Sequence, residues 1–241
     1  MNIAVIFAGG IGSRMNIRTL PKQFLELHGK PILAHTLERF DHHREIDGIA
    51  LAILPEWREH TEKIVRRYEL AKVRWIVNGG CTGQESRHNA LRAVGDDVAD
   101  PSDVVVLLHD GVRPLITDEL ISKNIELARN KGNAITCTKF NETVAVSSDG
   151  TISAVVPRDH IYVAQAPQTF HLDEILGLYD DAVARGEHDS IDSCTLMQQS
   201  GRTLYRVDGP RSNIKITTAE DFHVCRTYFD ILEVQHLVRL S

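Results

Sequence analysis

From Ile3 to Ala8 every residue is apolar, and glycines follow at positions 9, 10 and 12. A run of this kind reads as a strand buried on both faces, the situation of a strand inside a parallel sheet. The glycines let the backbone turn sharply at the strand's carboxyl end and approach a ligand with no Cβ in between. Arg14 and Lys22 bring two cations close to that turn. Backbone N–H groups plus fixed cations are what a polyphosphate needs; the alternative is a glycine-rich turn flanked by solvated cations.

The spacing excludes the two commonest phosphate loops. No Lys-Ser or Lys-Thr follows at P-loop spacing, and Met15 stands where a dinucleotide fingerprint needs its third glycine. What remains is G-G-x-G-x-R followed by Pro21-Lys22-Gln23. It resembles the signature of nucleotidyltransferases that charge sugar or sugar-alcohol phosphates with a nucleoside triphosphate.

Strand and helix signals alternate along the rest of the chain. Ile49 to Leu54, Val73 to Val77, Val104 to Leu108 and Ala134 to Thr138 read as strands. Between them, apolar stripes predict helices near 32–40, after Pro55, over about 84–94 and over about 117–130. This predicts a doubly wound, mostly parallel α/β sheet with ligands at the carboxyl ends of the strands. The motifs Gly79-Gly80 and His109-Asp110-Gly111-Val112-Arg113-Pro114 lie at such ends. Further on, a short strand over Tyr162 to Gln165, a helix over about 172–184, a strand over Thr203 to Val207 and a helix from about Ala219 are expected. Thr217 and Glu220 read as a capping box for that last helix.

Residues 140 to 160 break the rhythm. Val144-Ala145-Val146 and Ile152 to Val156 flank Ser147-Ser148-Asp149-Gly150, a hairpin signal. The expectation is a single domain over 1–241, with 140–160 as an arm that packs on a second subunit of a homodimer. The alternative is a flap over its own sheet.

Composition limits the partners. With a formal charge of −6, a general nucleic-acid binder is disfavoured, so any polyanion site must come from local cations. Cys81, Cys137, Cys194 and Cys225 form no C-x-x-C pair, which argues against zinc and for reduced thiols in a cytoplasmic setting. No apolar stretch approaches the length of a membrane span, and the N-terminus lacks a basic leader.

Several loops then agree with one family. Gly9-Gly10-x-Gly12-x-Arg14, Pro21-Lys22-Gln23, Gly79-Gly80 with Ser86, His109-Asp110-x-x-Arg113-Pro114, Gln165-x-Pro167-Gln168-Thr169 and Asn213-x-Lys215-x-Thr217 occur in that order. The chain resembles the cytidylyltransferases of the methylerythritol-phosphate and ribitol-phosphate type, from Ile3 to about Arg226. The resemblance implies a Rossmann-like nucleotidyltransferase fold. It also implies attack of a phosphate monoester on the α-phosphorus of CTP, with pyrophosphate leaving in line. The protein supplies no nucleophile in such a reaction; it positions two polyanions and stabilises the growing charge.

By this resemblance Arg14 and Lys22 hold the triphosphate, and Lys215 lies near the α-phosphate; its alternative is a solvated strand-end lysine. Ala8, Gly9, Gly10, Gly12, Gly79, Gly80 and Ser86 form the nucleotide pocket. Asp110 is the metal candidate, a lone carboxylate suited to Mg²⁺ that keeps several waters, or else a cap for the following turn. Arg113 binds substrate phosphate or pairs with an acid in the core. Thr143 and Arg158, on the arm, reach the acceptor phosphate in a neighbouring subunit's site, unless Arg158 is a plain surface arginine. His109 and the His42-His43 pair read as structural or solvated rather than as ligands.

There are departures. Gly83 stands where the family usually has arginine, Ala166 where it has threonine, and Glu142 where the arm usually carries aspartate. They bear on the acceptor more than on the reaction. Val112, Phe24-Leu25-Glu26-Leu27 and Ser212 to Thr218 look more like the ribitol-5-phosphate enzymes, while Val156-Pro157-Arg158 sits as well with the methylerythritol-phosphate branch. D-ribitol 5-phosphate is the expected acceptor, with CDP-ribitol as product. A nicotinamide oxidoreductase is disfavoured by the missing glycine and the cations beside the loop. The sequence leaves open whether the product feeds a surface polymer or isoprenoid synthesis.

Overall fold

The computed structural model describes residues 1–9 and 20–240, the side chains of 235–240 apart. The chain begins with strand β1 (Asn2–Ala8), the small pair β2 (Glu26–Leu27) and β3 (Lys30–Pro31), and helix α1 (Ile32–Asp41). There follow β4 (Gly48–Ile53), α2 (Arg58–Arg67), β5 (Val73–Asn78), α3 (Gly83–Gly95), β6 (Val105–Asp110), α4 (Asp118–Lys131) and β7 (Asn133–Lys139). The remainder is β8 (Val144–Ser148), β9 (Thr151–Val156), β10 (Tyr162–His171), α5 (Leu172–Ala184), α6 (Ser193–Gln199), β11 (Arg206–Asp208) and α7 (Ala219–Leu240).

Seven strands form one sheet in the order β11-β7-β10-β6-β1-β4-β5. Every neighbouring pair is parallel except those made by β10, which runs antiparallel to β6 and β7. The sheet is covered on both faces, as the apolar runs require. Ala4, Ile6, Leu51 and Leu107 pack with α1, α2 and α4 on one face. On the other, Ile3, Val5, Ala50 and Val106 pack with α3, α5 and α6. Leu51 is fully buried, and truncating a side chain so placed costs about 2–5 kcal/mol.

A third cluster docks the last helix. Leu27, Ile32, Val112, Leu115 and Ile216 enclose Cys225, with Phe222, Tyr228 and Phe229 of α7 against them. Among the described residues no helix is long and apolar enough to cross a membrane.

Three sequence expectations are corrected, and one helix is added. Tyr162 to His171 is one continuous strand rather than a short strand and a loop, because the register shift between Ala164 and Gln168 leaves Ala166 and Pro167 unpaired. Pro167 therefore costs no ladder hydrogen bond. The strand expected from Thr203 is confined to Arg206–Asp208. The cap of α7 is one residue later than expected: the Thr217 and Thr218 N–H groups donate to Asp221 Oδ2, and the Asp221 N–H donates to Thr218 Oγ1. Helix α6 has no counterpart in the sequence reading; Asp192 caps it by accepting from the Thr195 N–H at 2.9 Å.

The hairpin of β8 and β9 forms its own two-stranded sheet, apart from the central one. Its apolar residues are in solvent, with Ile152 67% and Val155 62% exposed. In this chain it is therefore not a flap packed over its own sheet.

Candidate active site

The carboxyl ends of β1, β4, β5 and β6 finish level with one another. Phe7 is in register with Asp110, Ala8 with Ile53, and Ile53 with Asn78. At this edge opens a cleft of about 1100 Å³. Ala8, Gly9, Lys22, Gly80, Ser86, Asp110 and Lys215 all line it, so the structure brings together candidates from four separate loops. Gly10, Gly12 and Arg14 lie outside the described residues.

The carboxyl end of β1 is fastened from below. Pro21 opens a short 3-10 turn, Lys22–Phe24. This turn buries Gln23, whose Nε2 donates to the Ala8 carbonyl at 2.6 Å. Lys22, next to it, is left half-buried in the cleft wall.

The loop after β5 is shaped by Ser86. Its Oγ accepts from the Gly80 N–H and donates to the Thr82 carbonyl, both at 3.0 Å. Gly79 sits behind it: a Cβ there would stand 3.0 Å from Ser86 Oγ and 3.1 Å from the Ile53 carbonyl. At Gly80 a Cβ would overlap the Glu85 side chain at 2.1 Å. Small residues are required here because the serine and the start of α3 occupy the space.

Asp110 is buried at the end of β6 and touches two cations. Arg113 Nε donates to its Oδ2 at 2.7 Å, and Lys215 Nζ stands 2.6 Å from its Oδ1. Burial would raise this carboxyl, but the Arg113 and Lys215 charges outweigh it and hold the group well below the usual carboxylate range. His109 beside it is also buried, and burial pushes its imidazole down to about 4. It is therefore neutral at ordinary pH, with Nε2 donating to the Arg113 carbonyl at 3.2 Å. Its structural reading is confirmed, as is that of His43, which is buried against the Asp118 carbonyl.

The two cations differ in freedom. Arg113 is nearly enclosed and also donates to the Asn213 carbonyl at 2.8 Å, so it takes the acid-pairing alternative rather than an open phosphate fork. Lys215 is 44% exposed. It lies outside the sheet, on a segment held by the Ile216 N–H donating to the Val112 carbonyl at 3.0 Å, so the alternative of a strand-end lysine does not hold. Thr143 and Arg158 are exposed at the two roots of the arm, and this chain does not bring them to its own cleft lining.

Sequence reasoning missed the fourth wall. Asp189, Ser190 and Ile191 line the cleft from the loop after α5. Helix α3 holds that loop: Thr82 Oγ1 donates to the His188 carbonyl, Gln84 Nε2 to the Glu187 carbonyl, and the Ser190 N–H to Gln84 Oε1. Arg87 is also in the lining, and nothing in the sequence sets it apart from a solvated helix arginine. Gln84, four residues after the glycine pair, was the available signal.

A cleft at strand ends that gathers Lys22, Lys215 and a carboxylate beside small residues suits a nucleoside triphosphate. Residues 2–230 match the IspD family, 2-C-methyl-D-erythritol 4-phosphate cytidylyltransferase. The chain belongs to this family. It is 44% identical to ribitol-5-phosphate cytidylyltransferase of Streptococcus agalactiae serotype Ia, over 98% of this chain and 99% of the relative. It is 37% identical to 2-C-methyl-D-erythritol 4-phosphate cytidylyltransferase of Geotalea uraniireducens, over 93% of this chain and 95% of the relative. The solved 4-diphosphocytidyl-2C-methyl-D-erythritol synthase of Anaerococcus prevotii superposes with a TM-score of 0.81 at 32% identity, over 95% and 96% of the two chains. The protein is thus a cytidylyltransferase of the IspD family, with the Rossmann-like fold that the resemblance implied.

A cytidylyltransferase cleft also admits a test of metal fit. Among the described residues no group of three or more His, Cys, Asp and Glu gathers to cage an ion. A lone buried carboxylate in the lining of a cleft fits Mg²⁺, which keeps waters and takes phosphate oxygens. Asp110 is that carboxylate.

Proposed function

We propose that this cytidylyltransferase transfers CMP from CTP to D-ribitol 5-phosphate, giving CDP-ribitol and pyrophosphate, in the cytoplasm and as a homodimer. The observation that carries the acceptor is the full-length identity of 44% to a ribitol-5-phosphate enzyme, against 37% to a methylerythritol-phosphate enzyme.

The acceptor's phosphate oxygen forms a new bond to the α-phosphorus of CTP. The bond from that phosphorus to the bridging oxygen breaks, and pyrophosphate keeps the electron pair. Lys22 binds the triphosphate from the β1 side together with Arg14, and Gly9 and Gly80 let the nucleotide lie against the backbone. Lys215 exchanges its contact with Asp110 for the α-phosphate, where charge builds. Asp110 would hold Mg²⁺, which when bound would supply charge neutralisation for the triphosphate. Thr143 and Arg158 serve the partner subunit's acceptor phosphate, which makes the dimer part of each site.

A coupled pyrophosphate-release assay with CTP and Mg²⁺ tests the acceptor. The expected result is a kcat/KM for D-ribitol 5-phosphate well above that for 2-C-methyl-D-erythritol 4-phosphate. The reverse order overturns the acceptor and leaves the reaction class standing.

A further inference from the structure

The geometry points to Arg87 as a phosphate-binding residue of the cleft, an inference that rests on the nucleotidyl-transfer reading above. Its side chain is buried, with the residue 6% exposed, yet it belongs to the cleft lining. Nε donates to Tyr179 Oη at 2.7 Å, and Nη2 donates to the Ser190 carbonyl at 3.2 Å. The guanidinium carbon stands 5.5 Å from the centroid of the Phe7 ring. All of these partners are neutral.

Among the described residues no carboxylate comes within the 4.0 Å of an ion pair with Arg87. A buried cation without a counter-charge is costly, and an apolar side chain of the same length would fill the space more cheaply. Arg113 makes the contrast, since its burial is balanced by Asp110 at 2.7 Å. The missing charge at Arg87 is therefore one that a ligand brings.

The free edge of the guanidinium has a direction. Nη1 makes no hydrogen bond with any described residue, and it lies 3.3 Å from the place a Cβ on Gly83 would take. Gly83 is itself a cleft residue, so the bare glycine leaves this nitrogen uncovered on the cleft side. Two anchored nitrogens fix the plane, and the remaining edge is preorganised for an oxyanion. The anion is a phosphoryl oxygen, of the triphosphate or of the acceptor's phosphate monoester. Arg87 thus supplies from the second turn of α3 a cation that Gly83, which opens the first turn, does not.

The test uses the full-length protein. Arg87→Met, Arg87→Lys and the double variant Gly83→Arg/Arg87→Ala are compared with the parent for binding of inorganic pyrophosphate by calorimetry. KM is measured separately for CTP and for whichever polyol phosphate turns over. Arg87→Met is expected to weaken pyrophosphate binding, or raise one KM, by about 10- to 100-fold, the worth of one charge-assisted hydrogen bond. A change in pyrophosphate binding and KM for CTP assigns the triphosphate; a change confined to the acceptor's KM assigns the monoester. Recovery in the double variant supports a charge role, because Arg at 83 restores the cation without the bonds to Tyr179 and Ser190. Native circular dichroism with unchanged pyrophosphate binding and unchanged KM values in Arg87→Met overturns the inference. So does a loss that neither Arg87→Lys nor Gly83→Arg/Arg87→Ala restores, which would make Arg87 only a strut for Ser190. None of these readouts depends on which acceptor proves correct.

Discussion

Lys215 Nζ rests 2.6 Å from Asp110 Oδ1, an ion pair between a lysine side chain 44% exposed and a carboxylate 8% exposed. The carboxylate is fixed by the strand and by Arg113; the lysine is the partner with room to move. When a triphosphate enters, the lysine is what can be redirected.

Lys215→Ala should therefore lower kcat by about 10²–10³, the usual cost of one transition-state contact. It should leave the thermal midpoint close to that of the parent, since Arg113 still balances Asp110. Steady-state kinetics with differential scanning calorimetry checks both. Turnover within a few-fold of the parent would remove Lys215 from the mechanism.

Asp110→Asn should affect the fold as well as the rate. It leaves Arg113 enclosed without its counter-charge, a loss on the order of 3–5 kcal/mol. Because the native carboxyl lies below its unfolded value of about 3.9, the stability it gives is present above that pH and fades as the solution is acidified below it. Urea titrations across the acid range should show a shallower acid limb in Asp110→Asn than in the parent.

Gln84→Leu should loosen the loop that closes the fourth wall. Its side chain makes the bonds to Glu187 and Ser190 at 2.6 and 2.5 Å, and losing the pair costs about 1–3 kcal/mol. Faster hydrogen exchange confined to residues 187–191, with a raised KM for CTP, is the expected signature.

The arm can be tested by charge. Ile152→Asp with Val155→Asp should sediment as a monomer at micromolar concentration. The variant should bind CTP normally and show a raised KM for the acceptor. A parent protein that is itself monomeric under those conditions would sink the dimer.

Thiol chemistry should sort the cysteines. Cys81 is exposed, whereas burial pushes the Cys225 thiol up to about 12, and burial with the nearby Asp192 charge does the same to Cys194. Thiolate is the reactive form, so iodoacetamide at about pH 8 should modify Cys81 first. Cys194 and Cys225 should react only on unfolding, as peptide mass spectrometry would reveal.

The strands were legible because a sheet covered on both faces demands unbroken apolar runs, and Ile3–Ala8 and Ile49–Leu54 have them. The loops at their ends were legible because glycines and lone charges have few other uses there. Pro167 hid the continuity of β10, since a missing donor normally ends a strand and only the three-dimensional bulge makes it harmless. Helix α6 and the wall at 189–191 were silent for another reason: both are held by side-chain bonds from α3 and from Asp192, which leave no periodic trace. Arg87 was illegible because only burial distinguishes it from a solvated arginine.

The base of the arm has its own consequence. Lys139 and Tyr162 face each other across β7 and β10, so the chain leaves the body and returns to it at adjacent, already paired positions. Whatever lies between them is a self-contained insert whose length and sequence can drift without shifting any register inside the body. The exposed hairpin is in this way free to diverge while the strand-end cleft of the body stays fixed.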